Sequence, residues 1–128
     1  MLDIDSLWET QYDAIFLVAS FHHLSDFTQR DSMMKKLYDL LNPDGIIFMT
    51  NWNLMSEQNY KKYAESEIAD STNNFWSKDF NIKFWESDRY YHSFALSELE
   101  LLAQKNMFVI SENKVFEWEK NIITILKK

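Results

Sequence analysis

Two apolar runs flanking a helical stripe organise the front of the chain. From Ala14 to Ala19 every residue is apolar, so both alternating sets, Ile15/Leu17/Ala19 and Ala14/Phe16/Val18, are hydrophobic. That pattern predicts a parallel strand covered on both faces, central in its sheet and not at an edge. Thr28-Gln29-Arg30-Asp31 then reads as a capped helix start, in which the threonine hydroxyl accepts from an orphan backbone N–H and the early acid suits the positive end of the helix. Met33, Leu37, Tyr38, Leu40 and Leu41 form the buried stripe of that helix. Pro43 cannot continue it and Gly45 tolerates the turn, so a second strand is expected over Ile46 to Thr50. Strand, helix and strand in this space predict a right-handed βαβ crossover.

Beyond Asn53 the pattern weakens. Ser56 to Ala69 predicts a helix with a thin apolar line of Tyr60, Tyr63 and Ala64. Asp70 to Phe94 is polar and aromatic without clean periodicity over its length, as expected of a loop-rich segment that is either functional or a cover for core. Ser97-Glu98-Leu99-Glu100 has the form of a capping box opening a helix to about Lys105. Met107 to Ile110, extending toward Phe116, and Asn121 to Leu126 predict an antiparallel hairpin turning near Glu119 to Asn121. Met1 to Gln11 reads as an acidic lead-in with Leu2, Ile4, Leu7 and Trp8 able to dock on a surface.

Composition narrows the chemistry. With 128 residues, 46% of them apolar, the chain fits one domain, 1–128, with ample core material. A net charge of -7 gives no general pull toward phosphate backbones or anionic membrane surfaces. A single glycine excludes every glycine-rich phosphate or dinucleotide loop, and zero cysteines exclude disulfides, thiolate metal sites and thiol nucleophiles. No apolar run is long enough to span a bilayer and Met1 to Ser6 has no signal-peptide pattern, so a cytoplasmic location is the default expectation.

His22-His23 is the first chemical candidate, because imidazole is the side chain that titrates near neutrality; the alternative is that one ring packs and the other caps a loop. No metal site is expected, since no spacing fixes His22, His23 and His92 together. Arg89 to His92 offers a contact for an RNA phosphate or a flipped base, with Tyr90 or Tyr91 as stacking platform, yet the acidic balance favours an aromatic cover over the sheet edge. Trp52 reads as a pocket wall. The acids Glu65, Glu67, Asp70, Glu98 and Glu100 read mostly as solvated helix surface, and Ser20 and Ser25 lack the G-x-S-x-G elbow of a hydrolase.

The order of elements, with Phe21-His22-His23-Leu24-Ser25, Arg30, Leu40-Leu41-Asn42-Pro43-Asp44-Gly45, Asn51-Trp52 and Arg89-Tyr90-Tyr91-His92-Ser93-Phe94 before Glu98-Leu99, resembles the C-terminal half of class I S-adenosylmethionine-dependent methyltransferases. Within them it is most similar to the tRNA wobble-uridine carboxymethyl methyltransferases and their bacterial relatives. The resemblance covers nearly the whole chain. It implies an α/β, partial Rossmann-like fold: a mixed sheet of two parallel strands plus a C-terminal antiparallel hairpin, with helices mainly on one face. It implies S-adenosyl-L-methionine as cofactor, Ala19 and Ser20 contacting its methionyl part, His22 and His23 near the transferred methyl or the acceptor, and Trp52, Arg89 and Tyr91 facing the acceptor. The glycine loop and ribose-binding acid of such enzymes would precede Met1.

Departures from the family are Asp44 in place of a first glycine, and Met107 before Phe108 where glycine is usual, with Asn106 expected to take the left-handed conformation instead. Loss of the opposite helical layer leaves apolar strand residues to be covered. The expectation is a truncated or split methyltransferase acting on an O or N acceptor, in a tRNA or a small molecule, only with a complementing chain, and inactive alone. A homodimer or a heteromer with a separate N-terminal half would provide the cover. The competing expectation is a non-catalytic dimerisation or scaffold module derived from such an enzyme.

Overall fold

A computed structural model describes residues 10–69, 75–116 and 119–128. Strand β1 (Tyr12–Val18) runs through a 3-10 turn (Phe21–His23) into helix α1 (Phe27–Leu40), strand β2 (Leu41–Trp52) and a short helix α2 (Glu57–Tyr63). Strands β3 (Lys78–Phe84) and β4 (Ser87–Ser93), helix α3 (Leu96–Lys105), and strands β5 (Val109–Phe116) and β6 (Asn121–Lys127) follow. The main sheet has the order β1-β2-β6-β5, and β3 and β4 form a separate two-stranded sheet. β1 and β2 are parallel, with Phe16 opposite Phe48 and Val18 opposite Thr50; β6 is antiparallel to both β2 and β5. The fold is the expected partial Rossmann-like α/β arrangement, with an extra hairpin.

The core lies between the sheet and helices α1 and α3. Leu17, Ile47, Met49, Ile122 and Leu126 meet Met34, Leu37, Leu40, Leu99, Leu102 and Ala103 there. The other face is different: Phe16 and Val18 are each 66% exposed and Ile46 39%. Among the described residues β1 is therefore an edge strand covered on one side, where its composition predicts a central one covered on both.

Local details correct several expectations. Helix α1 is capped by Asp26, whose carboxylate accepts from the Gln29 N–H at 2.8 Å, two residues ahead of the expected Thr28 cap. Gly45 does not adopt a left-handed φ; Asp44 does, at 64°. Glycine is needed at 45 for space, because a Cβ there would lie 2.8 Å from the Asn42 carbonyl and 3.0 Å from Leu41 Cδ2. Helix α2 is shorter than Ser56 to Ala69, capped by the Ser56 hydroxyl and ending in a 3-10 turn at Ala64–Ser66. Helix α3 begins after Ala95 without a side-chain cap, so Ser97 lies inside its first turn.

The end of α3 is a six-to-one turn. Phe108 N–H donates to the Ala103 carbonyl and Met107 N–H to that of Gln104, with Met107 in the left-handed position at φ 69° and Asn106 at −101°. The left-handed residue is thus Met107, not Asn106. The aromatic segment holds the hairpin that sequence periodicity over the full stretch missed: Phe80 pairs with Tyr91 and Phe84 with Ser87, leaving Trp85 and Glu86 as a two-residue loop.

Candidate functional site

The parallel strands end where the 3-10 turn, β4 and the start of α2 converge. Ala19 takes φ 50° and gives its N–H to the Thr50 carbonyl and hydroxyl, at 3.0 and 3.1 Å. This tie pins the end of β1 to β2 and leaves Ala19 only its carbonyl to offer a ligand. The Ser20 carbonyl accepts the His23 N–H, which closes the 3-10 turn and throws the two imidazoles over the strand ends.

There the rings pack together. His22 and His23 meet edge to face at 4.5 Å, and Tyr91 lies 5.0 Å from His22 and 4.5 Å from His23 between ring centroids. Trp52 stacks on Tyr91 at 4.9 Å and 10°. The Trp52 backbone N–H donates to His22 Nδ1 at 3.0 Å. His23 Nδ1 faces the Tyr90 carbonyl at 2.9 Å. Burial, together with the charge of neighbouring His23, depresses the pKa of His22 from 6.5 to about 3, so His22 is neutral. Its Nε2, and both amide atoms of fully buried Asn51 one residue before Trp52, have no partner among the described residues.

Behind this aromatic wall lies a buried charge cluster. Arg30 from α1 donates through Nε and Nη2 to the Leu24 carbonyl and through Nη2 to the Tyr90 hydroxyl at 2.9 Å. Its Nη1 lies 3.5 Å from Glu98 Oε2 of α3. Tyr90 in turn donates to Asp79 Oδ1 at 2.5 Å. His92 stands between two acids, with Nδ1 2.6 Å from Asp79 and Nε2 2.8 Å from Glu98. Ser77 donates to Glu98 at 2.8 Å and accepts the Ala95 N–H at 2.9 Å.

Both ring nitrogens of His92 face carboxylates, which only accept when ionised, so the ring is an imidazolium. Burial alone would lower its pKa, but the hydrogen bonds to Asp79 and Glu98 and the charge of Glu98 outweigh it and raise the value. Burial likewise raises Asp79, yet its bonds to His92 and Tyr90 prevail and hold it below the ordinary carboxylate range. With Arg30 and His92 positive and Glu98 and Asp79 negative, the cluster is neutral. It ties α1, α3 and the β3–β4 hairpin together, and so fixes Tyr90 and Tyr91 against the histidines.

Of the residues expected at a site, His22, His23, Trp52 and Tyr91 come together, with Ala19 and Ser20 at their base. Arg89 is exposed and lies 5.3 Å from the Phe84 ring centroid. Tyr90 and His92 are held by the charge cluster, through Arg30 and Asp79 and through Asp79 and Glu98. Glu98 is 1% exposed, the reverse of a solvated helix surface, because it neutralises Arg30 and His92; Asp70 lies outside the described residues. The pairing of Arg30 with Glu98, 68 positions apart, leaves no local sequence signal.

No protein-family model matches the chain, and no curated protein does so by sequence. Solved structures do. A SAM-dependent methyltransferase from Methanosarcina mazei superposes with a TM-score of 0.72 at 18% identity, covering 93% of this chain and 60% of that one. The 1,6-didemethyltoxoflavin-N1-methyltransferase of Burkholderia thailandensis, solved with its namesake compound and S-adenosylhomocysteine, gives 0.64 at 13%, covering 93% and 44%. N-methyltransferase NodS from Bradyrhizobium japonicum, with S-adenosylhomocysteine, gives 0.54 at 12%, covering 99% and 52%. The chain thus shares the fold of class I methyltransferases and spans less than two thirds of each of these proteins.

Proposed function

We propose that the chain forms the acceptor side of an S-adenosylmethionine-dependent methyltransferase acting on a nitrogen or oxygen of a small molecule. The observation that carries this reading is the convergence of His22, His23, Trp52 and Tyr91 over the carboxyl ends of two parallel strands, where open α/β sheets bind their ligands. The residues present suit the amino-acid end of the cofactor: the Ala19 N–H is taken by Thr50, its carbonyl can accept from an ammonium, and Ser20 supplies a hydroxyl next to it. When bound, S-adenosylmethionine supplies an electrophilic methyl group on a sulfonium, whose carbon–sulfur electron pair returns to sulfur.

This chain's residues orient the acceptor, exclude water and handle its proton. Trp52 and Tyr91 wall the site, His23 faces the acceptor with buried His22 packed against it, and exposed Arg89 stands two residues before Tyr91 on β4. The bare sheet face at Phe16 and Val18 and the open β1 edge are covered by further protein, either a second copy or a polypeptide that also cradles the adenosine. The net charge of -7 and the engagement of Tyr90 and His92 in the charge cluster favour a small acceptor over the tRNA that the sequence resemblance suggests. The test is incubation of the chain, recovered with its native partners, with methyl-deuterated S-adenosylmethionine and a deproteinised cell extract, with bulk tRNA in parallel. Label in the small-molecule fraction supports the reading; label in tRNA alone corrects the acceptor; label in neither overturns it.

A further inference from the structure

The two adjacent histidines are not equivalent, and their hydrogen bonds say which does what. A backbone N–H can only donate, so His22 Nδ1, which takes the Trp52 N–H at 3.0 Å, is bare and its proton sits on Nε2. A carbonyl can only accept, so His23 Nδ1, 2.9 Å from the Tyr90 oxygen, carries its proton and leaves Nε2 with a free lone pair. The rings are thus locked in opposite tautomers while touching at 4.5 Å. His22 is 1% exposed and cannot reach solvent with a proton, whereas His23 is only half-buried.

We propose that His23 Nε2 is the proton acceptor of the site and that His22 is a positioning residue, a neutral ring that accepts the Trp52 N–H, fixes that backbone and braces the His23 ring. This deepens the methyltransferase reading and rests on it. As the acceptor nitrogen or oxygen forms its new bond to carbon, its proton passes to the Nε2 lone pair. His23 becomes an imidazolium held by the Tyr90 carbonyl, and the proton then leaves to water. The Tyr90 carbonyl suits that role, since it strengthens its hold on the ring as the ring gains charge.

Asparagine separates the two roles, because its amide reproduces the Nδ1 end of histidine and nothing at Nε2. His23→Asn keeps a donor for the Tyr90 carbonyl, and His22→Asn keeps an acceptor for the Trp52 N–H. Long-range proton–nitrogen correlation spectra of the full chain should show His22 protonated at Nε2 and His23 at Nδ1. In the labelled-methyl assay on cell extract, His23→Asn should lower kcat about 100-fold or more while melting like the parent, and His22→Asn should stay within about tenfold of the parent kcat. A proton on His22 Nδ1, or a fully active His23→Asn, overturns the assignment alone. A parent protein with both tautomers as assigned but no methyl transfer to any acceptor overturns the methyltransferase reading, and the proton-acceptor role with it.

Discussion

Replacing Glu98 with alanine removes one of two carboxylates from a cluster that holds two cations. Arg30 and His92 are 4% and 2% exposed, so neither can turn to water. Breaking a buried pair by removing one partner costs about 3–5 kcal/mol, because the surviving charge stays desolvated and uncompensated. Against a net stability of about 5–15 kcal/mol for a domain, and a few degrees of melting temperature per kcal/mol at this size, the melting point should fall by roughly 10–20 °C. Glu98→Gln should cost less, on the order of 1–2 kcal/mol. With glutamine present, His92 can shed its Nε2 proton, accept from the new amide and still donate to Asp79, restoring neutrality with Arg30. Thermal melts and urea titrations of the three proteins read both numbers. An alanine variant as stable as the parent, or a glutamine variant worse than alanine, would refute the charge balance.

Stability should be bell-shaped in pH. The folded pKa of His22 lies below its unfolded 6.5, so its contribution is full above pH 6.5 and is lost as pH falls toward about 3. At about 1.4 kcal/mol per pH unit this is on the order of 5 kcal/mol, and His22→Asn should flatten that limb in acid titration by circular dichroism. Asp79 acts in the same direction below 3.8. His92 is raised, so the stability it shares with Asp79, Glu98 and Arg30 is full below 6.5 and lost as pH rises through its folded value; His92→Gln should remove that alkaline limb. Met107 is 75% exposed and left-handed, so Met107→Gly should stabilise by about 1 kcal/mol in urea titrations, and a loss would contradict the helix-end geometry. Placing lysines at Phe16 and Val18 should abolish association, with a second copy or with a co-purifying polypeptide, in sedimentation velocity of the protein recovered from cells; a parent recovered alone and monomeric throughout would refute the need for a cover on that face.

The main sheet was legible because its signals are local or periodic. The unbroken run at Ala14 to Ala19, the stripe through Met33 and Leu37, and the two strands flanking Glu119 each declare an element. The β3–β4 hairpin has an alternation of its own, Phe80/Ile82/Phe84 against Asp79/Asn81/Lys83, obscured by the aromatic stretches around it. Its turn carries no glycine: Trp85 takes the left-handed φ of 56°, which no turn rule expects of tryptophan. Glu98 was misread for a related reason, since its helix position looks exposed until Arg30 and His92 are brought to it. The histidine pair was visible as chemistry. Its opposite tautomers depend on backbone groups of Trp52 and Tyr90, which only the fold supplies.

The most direct test of the strand-end site is an amide spectrum of nitrogen-15-labelled protein titrated with S-adenosylhomocysteine to millimolar concentration. Ligand binding at the carboxyl ends of β1 and β2 should shift Ala19, Ser20, His22, His23 and Trp52 while leaving Val109 and the outer surface of α1 unmoved. An unchanged spectrum, or shifts that map to α1 or β5 instead, would contradict it.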